Sequence, residues 1–253
     1  MRDYRALAVC FALTSLTLLA PAANAFSYGD FIGTNVDFLN VVDTTTSAGD
    51  PDGLFGGSGA PPMVIANQLI FFPTAFAASA SGGSSDLTSA NLQLTIDARD
   101  KAIIDIIDIS EFGDADLSGV GTAATNVSVT VSGFVTVLED FFGTLLGPVV
   151  IPFAMTFTPS DTLALPGDSG LTIWEGGVQI DIASIVPNAT LAVVQFDNIL
   201  DANSEVGTTA LIQKKVVNGP VISISIVPEP STALLVSLGL VGLTRRTRRG
   251  SSI

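Results

Sequence analysis

The sequence predicts an all-β protein whose main part is an antiparallel β-sandwich or jelly-roll-like ectodomain. Apolar and polar residues alternate with a period of two along most segments between residues 26 and 227, and no segment there shows a convincing helical period. Such alternation places one face of each strand on a core and the other in water, as antiparallel sheets require. The composition fits, because 47% of the residues are hydrophobic and only 13% are charged.

The clearest strands are those in which every second residue is aliphatic. Leu92, Leu94 and Ile96 alternate with polar residues, and the same pattern covers residues 127–137 and 222–226. The segment 102–109 carries aspartates three residues apart, which also fits a helical turn, but its five isoleucines favour a strand. Further segments fit strands in chain order: 63–72, 149–158, 171–182, 191–196 and 208–217.

Glycine, serine, aspartate and proline cluster between these segments. The clusters predict loops at residues 47–62, 79–89 and 159–170. We therefore expect one continuous domain over residues 26–227, without an internal repeat.

Composition excludes several classes of chemistry. The net charge of −14 argues against nucleic acid as a partner. The chain has no histidine, which excludes imidazole-based catalytic triads and histidine metal sites. Its only cysteine is Cys10, in a segment that we expect to be removed, so the mature protein would lack disulfides and thiolate groups. Carboxylate, hydroxyl and backbone groups remain available for chemistry.

The N-terminus has the layout of a secretory signal peptide, predicted to be helical, over residues 1–25. Arg2 and Arg5 precede an apolar run at residues 6–20, and the small residues Ala23 and Ala25 form the cleavage site before Phe26. The apolar run is shorter than the ~20 residues of a membrane-spanning helix. The signal implies the Sec translocon and a signal peptidase as partners.

The C-terminus, residues 228–253, also combines an apolar run with a basic cluster, but in the opposite order. Pro228-Glu229-Pro230 opens it, an apolar run at 231–244 follows, and Arg245, Arg246, Arg248 and Arg249 close it. As a helix, this run would measure ~21 Å, against ~30 Å for the hydrocarbon core of a bilayer. The arginines would stay cytoplasmic, so the ectodomain would lie across the membrane. A short hydrophobic helix of this kind suits a transient membrane intermediate.

This tail resembles the PEP-CTERM sorting signal, which combines a Pro-Glu-Pro motif, a short hydrophobic stretch and a terminal arginine cluster. The resemblance implies processing by an exosortase near the Pro-Glu-Pro motif, passage through the inner membrane, and delivery to the cell surface or extracellular space. It also implies an association with biofilm or exopolysaccharide. An ordinary tail anchor is the alternative interpretation. The family is defined by the tail, so it implies no activity for the ectodomain.

One acidic segment has the opening spacing of a calcium loop. Asp114, Asp116 and Ser118 stand at positions one, three and five, and a glycine follows at position six. The closing glutamate of such a loop is replaced by Thr125. The segment is therefore either a calcium site or an acidic turn between two strands. No other cofactor is expected.

Trp174 is the only tryptophan and the one candidate for ligand contact. It shares strand parity with Thr172, opposite Leu171 and Ile173, so it is a candidate for an exposed sugar-stacking platform. Because Gly176-Gly177 allows a bulge that would re-aim the strand, and Tyr28 is the only tyrosine expected in the mature chain, packing in the core or at its rim is the favoured interpretation and ligand contact is the alternative. The leading functional interpretation is a non-enzymatic exported surface or matrix protein. A glycan-binding module, with or without Ca²⁺, and a hydrolase using two carboxylates that the sequence does not locate are the alternatives, and no catalytic residue is assigned.

Overall fold

The computed structural model describes residues 24–45, 47, 53–56, 61–100, 102–143, 145–215 and 222–227. All regular structure in this part of the chain is β-strand, which confirms the all-β prediction. The strands, in chain order, are β1 (Asn24–Ile32), β2 (Val36–Thr45), β3 (Met63–Ile65), β4 (Gln68–Phe71), β5 (Ala77–Ser81), β6 (Ser85–Ala98), β7 (Ile106–Gly119), β8 (Asn126–Asp140), β9 (Leu145–Ala154), β10 (Thr156–Thr158), β11 (Thr162–Ala164), β12 (Gly170–Asp181), β13 (Ala189–Asn203), β14 (Thr208–Lys214) and β15 (Ile222–Val227).

The strands form two antiparallel sheets. The first sheet has seven strands in the order β1-β2-β6-β13-β8-β11, with β9 also paired to β8. The second sheet has eight strands in the order β10-β12-β7-β15-β4-β3, and β14 pairs with both β7 and β5. The long strands β13 and β7 lie inside their sheets, because each is hydrogen-bonded to neighbours on both edges.

The inner faces of both sheets bury one hydrophobic core. Its members follow the period-two pattern, as in β6, where Leu92, Leu94 and Ile96 are at most 1% exposed. Phe55 occupies the middle of an aromatic cluster and packs edge-on against Phe71, Phe76 and Phe196. Two sheets that share a core in this way form a sandwich.

Most sequence-predicted strands occur at their expected places, with four corrections, one of which is that the predicted loop 159–170 contains strand β11. Strands β1 and β2 were not predicted, although β2 lies inside the first sheet between β1 and β6. Residues 79–89 are mainly strand, because β5 and β6 are joined by the short turn 82–84. In the segment 102–109, strand β7 begins only at Ile106. Serine and aspartate at 79–89 lie on exposed strand positions, a pattern that resembles loop composition.

The two terminal signals fall almost entirely outside the described residues. This applies to Ala23, to the Pro-Glu-Pro motif and to the four terminal arginines. Ala25 is described and lies exposed in β1. None of the described residues forms a helix that could span a membrane.

Candidate functional site

A buried glutamate lies at the centre of the second sheet. Glu111 shares strand parity on β7 with the core residues Ile107 and Ile109, and it is 0% exposed. On one edge of β7, the neighbouring strand changes from β15 to β14 close to this position: Glu111 pairs with Ile222, whereas Gly113 pairs with Lys214. The change of neighbour brings a side chain from the end of β14 towards Glu111.

Glu111 binds a lysine and an asparagine through its two carboxylate oxygens. Lys214 Nζ donates to Oε2 in a direct ion pair, and Asn198 Nδ2 donates to Oε1. Lys214 and Glu111 belong to the second sheet, whereas Asn198 lies on β13 in the interior of the first sheet. We call Glu111, Lys214 and Asn198 the buried triad. It connects the two sheets through the core.

The surroundings of the buried triad are apolar and aromatic. The side chains of Lys214 and Glu111 and the residue Asn198 are all 0% exposed. Lys214 Nζ lies 5.0 Å from the ring centroid of Phe76 and 5.5 Å from that of Trp174. Burial lowers the pKa of Lys214 below its ordinary value, and the charge of Glu111 only partly offsets this effect. The carbonyl oxygen of the asparagine, Oδ1, is buried without a hydrogen-bond partner.

Trp174 is a core residue, in agreement with the favoured interpretation of this position, and not the exposed platform of the alternative. Its residue exposure is 1%, whereas Leu171 and Ile173 are 70% and 49% exposed. Leu171 and Ile173 lie on the opposite, outer face of β12, as the alternation along the strand predicts, although both are aliphatic. The reason lies on β7: Gly113 stands directly opposite Trp174, and a Cβ at Gly113 would lie 2.2 Å from the indole. The absent side chain provides the space that the indole fills.

The predicted calcium loop is a straight strand. Asp114, Asp116 and Ser118 are alternate residues of β7 on the outer side of the second sheet, so they are neither a loop nor a turn. Asp114 accepts hydrogen bonds from Gln213 Nε2 at 2.7 Å and Lys215 Nζ at 3.1 Å. Within the described residues, no group of three or more carboxylate, histidine or cysteine side chains is placed to hold a metal ion. Calcium binding therefore stays a prediction.

The outer face of the first sheet carries a groove of about 290 Å³ across β2, β6 and β13. Asn91 Nδ2 donates to Asp197 Oδ1 over 2.8 Å at this groove. The Asp197 side chain is exposed on β13, and Ile199 follows it two residues later on the same face. Hydroxyl, amide and carboxylate groups lie there next to an aliphatic side chain, so the groove offers both hydrogen-bonding and apolar contacts. The groove is lined by Thr44, Ser89, Ala90, Asn91, Asp197 and Ile199.

Sequence reasoning missed the buried triad, although each member left a signal. Each member stands on the inward-facing side of its strand, where the neighbouring alternate positions are apolar. Glu111 follows the core residue Ile109, Lys214 follows Ile212, and Asn198 lies between Phe196 and Leu200. A polar residue at such a position is a better indicator of a special site than a polar residue on the exposed face. Their convergence depends on the pairing of the strands, which the local pattern does not specify.

Comparison with known protein families finds a match for the C-terminal tail. The family model for the PEP-CTERM protein-sorting motif matches residues 227–249. No curated protein sequence matches the chain.

Three of the solved structures that are similar to the chain resemble it only weakly. The enzymatically active domain of bacteriophage CBA120 tailspike protein 4 is 13% identical, with 81% of this chain and 19% of that chain covered and a TM-score of 0.22. TmCBM61, solved in complex with β-1,4-galactotriose, is 7% identical, with 82% and 88% covered and a TM-score of 0.20. The family 11 xylanase from Neocallimastix patriciarum is 8% identical, with 81% and 100% covered and a TM-score of 0.22. Such low scores do not establish a shared fold, and the chain spans only about a fifth of the tailspike domain.

Proposed function

We propose that this PEP-CTERM sorting-domain protein, an exported exosortase substrate, serves as a non-enzymatic structural component of the cell surface or extracellular matrix. The observation that carries the proposal is the position of the sorting motif. The matched segment begins at residue 227, and β15, the last strand among the described residues, ends at Val227. Cleavage near Pro228-Glu229-Pro230 would therefore leave every strand of the sandwich intact.

The placement of β15 suits a chain that is held or released at its C-terminal end. Strand β15 lies between β7 and β4 and is hydrogen-bonded to both. Its core side chains Ile222, Ile224 and Ile226 are at most 3% exposed. A pulling force applied at residue 228 would act on a strand in the interior of the second sheet and not on a frayed edge strand. This position fits a structural role in a matrix of biofilm or exopolysaccharide.

The sorting step is tested by two tail variants, produced in a host that has its exosortase. Replacing Pro228, Glu229 and Pro230 with alanine should leave the chain in the membrane fraction and unprocessed, because the extended backbone imposed by proline is lost. Neutralising Arg245, Arg246, Arg248 and Arg249 should instead weaken membrane retention and orientation, because each arginine resists crossing the bilayer. Pro220→Ala, placed before β15, is the matched control.

Mass spectrometry of the surface fraction reads out both variants. The mature wild-type chain and the Pro220→Ala chain should end near residue 228 and lack the segment 231–253. A mature surface protein that still contains Arg245 to Ile253 would contradict exosortase processing and favour an ordinary tail anchor. A processed chain that remains soluble in the medium, without association with the matrix, would contradict the structural role alone.

Glycan binding at the outer groove is the second candidate function. The groove presents an amide, hydroxyls and a carboxylate on one exposed sheet face, and these groups bind sugar hydroxyls. Its lining contains a single carboxylate, Asp197, whereas glycoside hydrolysis uses two, so the groove favours binding over hydrolysis. We expect Asn91→Ala and Asp197→Ala to abolish retention on a glycan array, whereas Gln179→Ala on the second sheet should not.

The same array decides the calcium question. If retention requires Ca²⁺ bound by Asp114 on the second sheet, a chelator should abolish retention of the wild type, and Asp114→Ala should show the same loss without chelator. Binding that is unaffected by chelator and by Asp114→Ala would contradict a calcium-dependent site. Equal retention of all variants would contradict the groove as the binding surface.

A further inference from the structure

The buried triad brings together an amine, a carboxylic amide and a carboxyl group in one place. Glu111 uses one oxygen for Lys214 Nζ and the other for Asn198 Nδ2, so a single carboxyl group bridges the amine and the amide. The carbonyl oxygen of the asparagine, Oδ1, has no hydrogen-bond partner and is buried. An amine and an amide that are held by the two oxygens of one carboxyl group have the shared acid–base partner that amide exchange requires. We propose that Lys214 and Asn198 form a covalent side-chain amide bond in the folded protein, with Glu111 as the catalytic acid–base residue.

The environment favours the reactive form of the lysine. Burial lowers the pKa of Lys214, because the ammonium ion loses its hydration among Phe76 and Trp174. A neutral amine is the nucleophile, and lysines activated by desolvation in this way are known nucleophiles in enzymes. The same core excludes water, which would otherwise compete for the amide carbon.

The bonds and protons balance without any outside reagent. Glu111 takes a proton from Lys214 through Oε2, and the freed lone pair of Nζ attacks Cγ of Asn198. The C–Nδ2 bond then breaks, and Nδ2 leaves with a second proton from Nζ as ammonia, transferred through Glu111. The products are a secondary amide between Nζ and Cγ, one molecule of ammonia, and Glu111 as a neutral carboxylic acid.

The reaction also removes an electrostatic cost. Before it, the core holds an ammonium and a carboxylate, whose removal from water is expensive even when they are paired. After it, both charges are gone, and the neutral Glu111 can donate its proton to the new amide oxygen. The reaction therefore gives the buried Oδ1 of Asn198 a hydrogen-bond donor and removes the buried ion pair.

The bond would connect the two sheets. Asn198 lies in the middle of the first sheet and Lys214 at the end of β14 in the second, so the cross-link would pass through the core. Exported proteins often gain such a link from disulfides, but the only cysteine of this chain, Cys10, lies in the predicted signal peptide. The triad offers the same constraint with chemistry that is independent of redox conditions.

Two mass measurements on the wild-type protein, expressed as the full chain and purified after export, test the bond. The intact mature chain should be lighter than its sequence by one ammonia, about 17 Da, the leaving group of the amide exchange. After denaturation, a glutamate-specific protease cuts beyond Glu175 and Glu205, which places Asn198 and Lys214 in separate fragments. We expect these two fragments to remain joined. A full-mass chain would refute the bond, and loss of ammonia with separated fragments would indicate a succinimide at Asn198 and refute it equally.

Variants then assign the roles. Lys214→Arg and Asn198→Ala should give separated fragments at full mass, whereas the controls Lys215→Arg and Asn203→Ala, next to and on the same strand as the reacting residues, should stay linked. Glu111→Gln keeps the size of the side chain, and it should slow linkage by about 10²–10⁴-fold, the usual contribution of acid–base catalysis. Linkage of Glu111→Gln at the wild-type rate would overturn the role of Glu111. A linked Asn198→Ala chain would overturn the assignment of the acceptor.

Discussion

Replacing Trp174 by alanine is the sharpest test of the core. The side chain is 1% exposed, and its indole packs edge-on against Phe157 at 5.9 Å between ring centroids and lies over the Gly113 backbone. Removing a buried tryptophan deletes these contacts and leaves a cavity, which costs ~3–5 kcal/mol of unfolding free energy. For a domain of this size, the loss corresponds to a fall in melting temperature of about 6–20 °C. Leu171→Ala, three residues away on the same strand and 70% exposed, should change the unfolding free energy by no more than ~0.5 kcal/mol.

Urea unfolding followed by far-ultraviolet circular dichroism measures both variants, because the signal comes from the sheets and survives the loss of the tryptophan. Fluorescence gives an independent check, since Trp174 is the only tryptophan in the chain. Its emission in the native wild type should be that of a buried indole, resistant to a soluble quencher, and it should shift to the red on unfolding. A destabilisation below ~1 kcal/mol for Trp174→Ala, or readily quenched native fluorescence, would refute the core position and restore the exposed-platform interpretation.

Three further predictions follow from particular contacts. Gly113→Ala should destabilise the domain by ~1–3 kcal/mol through overpacking against the indole, whereas Gly177→Ala, with nothing within 4 Å of its Cβ position, should be tolerated. Burial, together with Asp43, which accepts a 2.8 Å hydrogen bond from the hydroxyl, raises the pKa of Tyr28 above its ordinary value of 10.0. As the pH rises, the unfolded chain therefore loses the hydroxyl proton before the folded chain does, so the stability that this group contributes is present below pH 10 and should decline above it. Tyr28→Phe should be less stable at neutral pH and should not show this alkaline decline. A pH series of urea unfolding curves measures both effects. If calcium binds through Asp114, calorimetric titration with Ca²⁺ at physiological salt should give heat that is lost in Asp114→Ala; equal heats, or none in either protein, would contradict binding by that residue.

Much of the fold follows from the period of the side chains. In β6 and β8, one aliphatic residue at every second position is enough to define a strand with one buried face, and the structure places those residues in the core. The segment 79–89 shows where the approach fails, because serine and aspartate on the exposed face of β5 and β6 have the composition of a loop. Pairing with β13 stabilises β6, and pairing with β14 stabilises β5, but the local sequence gives no indication of these partners.

The sequence by itself determined the features that are read locally: the alternation of the strands, the excess of acidic residues, the absence of histidine and the sorting motif at the C-terminus. Only the tertiary structure decided which face of β12 is buried, because that depends on Gly113, a residue of the neighbouring strand, and not on Trp174 itself. It also decided that Glu111, Asn198 and Lys214 meet, although the first and last are more than one hundred residues apart. The local alternation determines which face of its strand a side chain lies on, but the order and register of the strands determine which residue it meets. Such contacts therefore depend on long-range pairing.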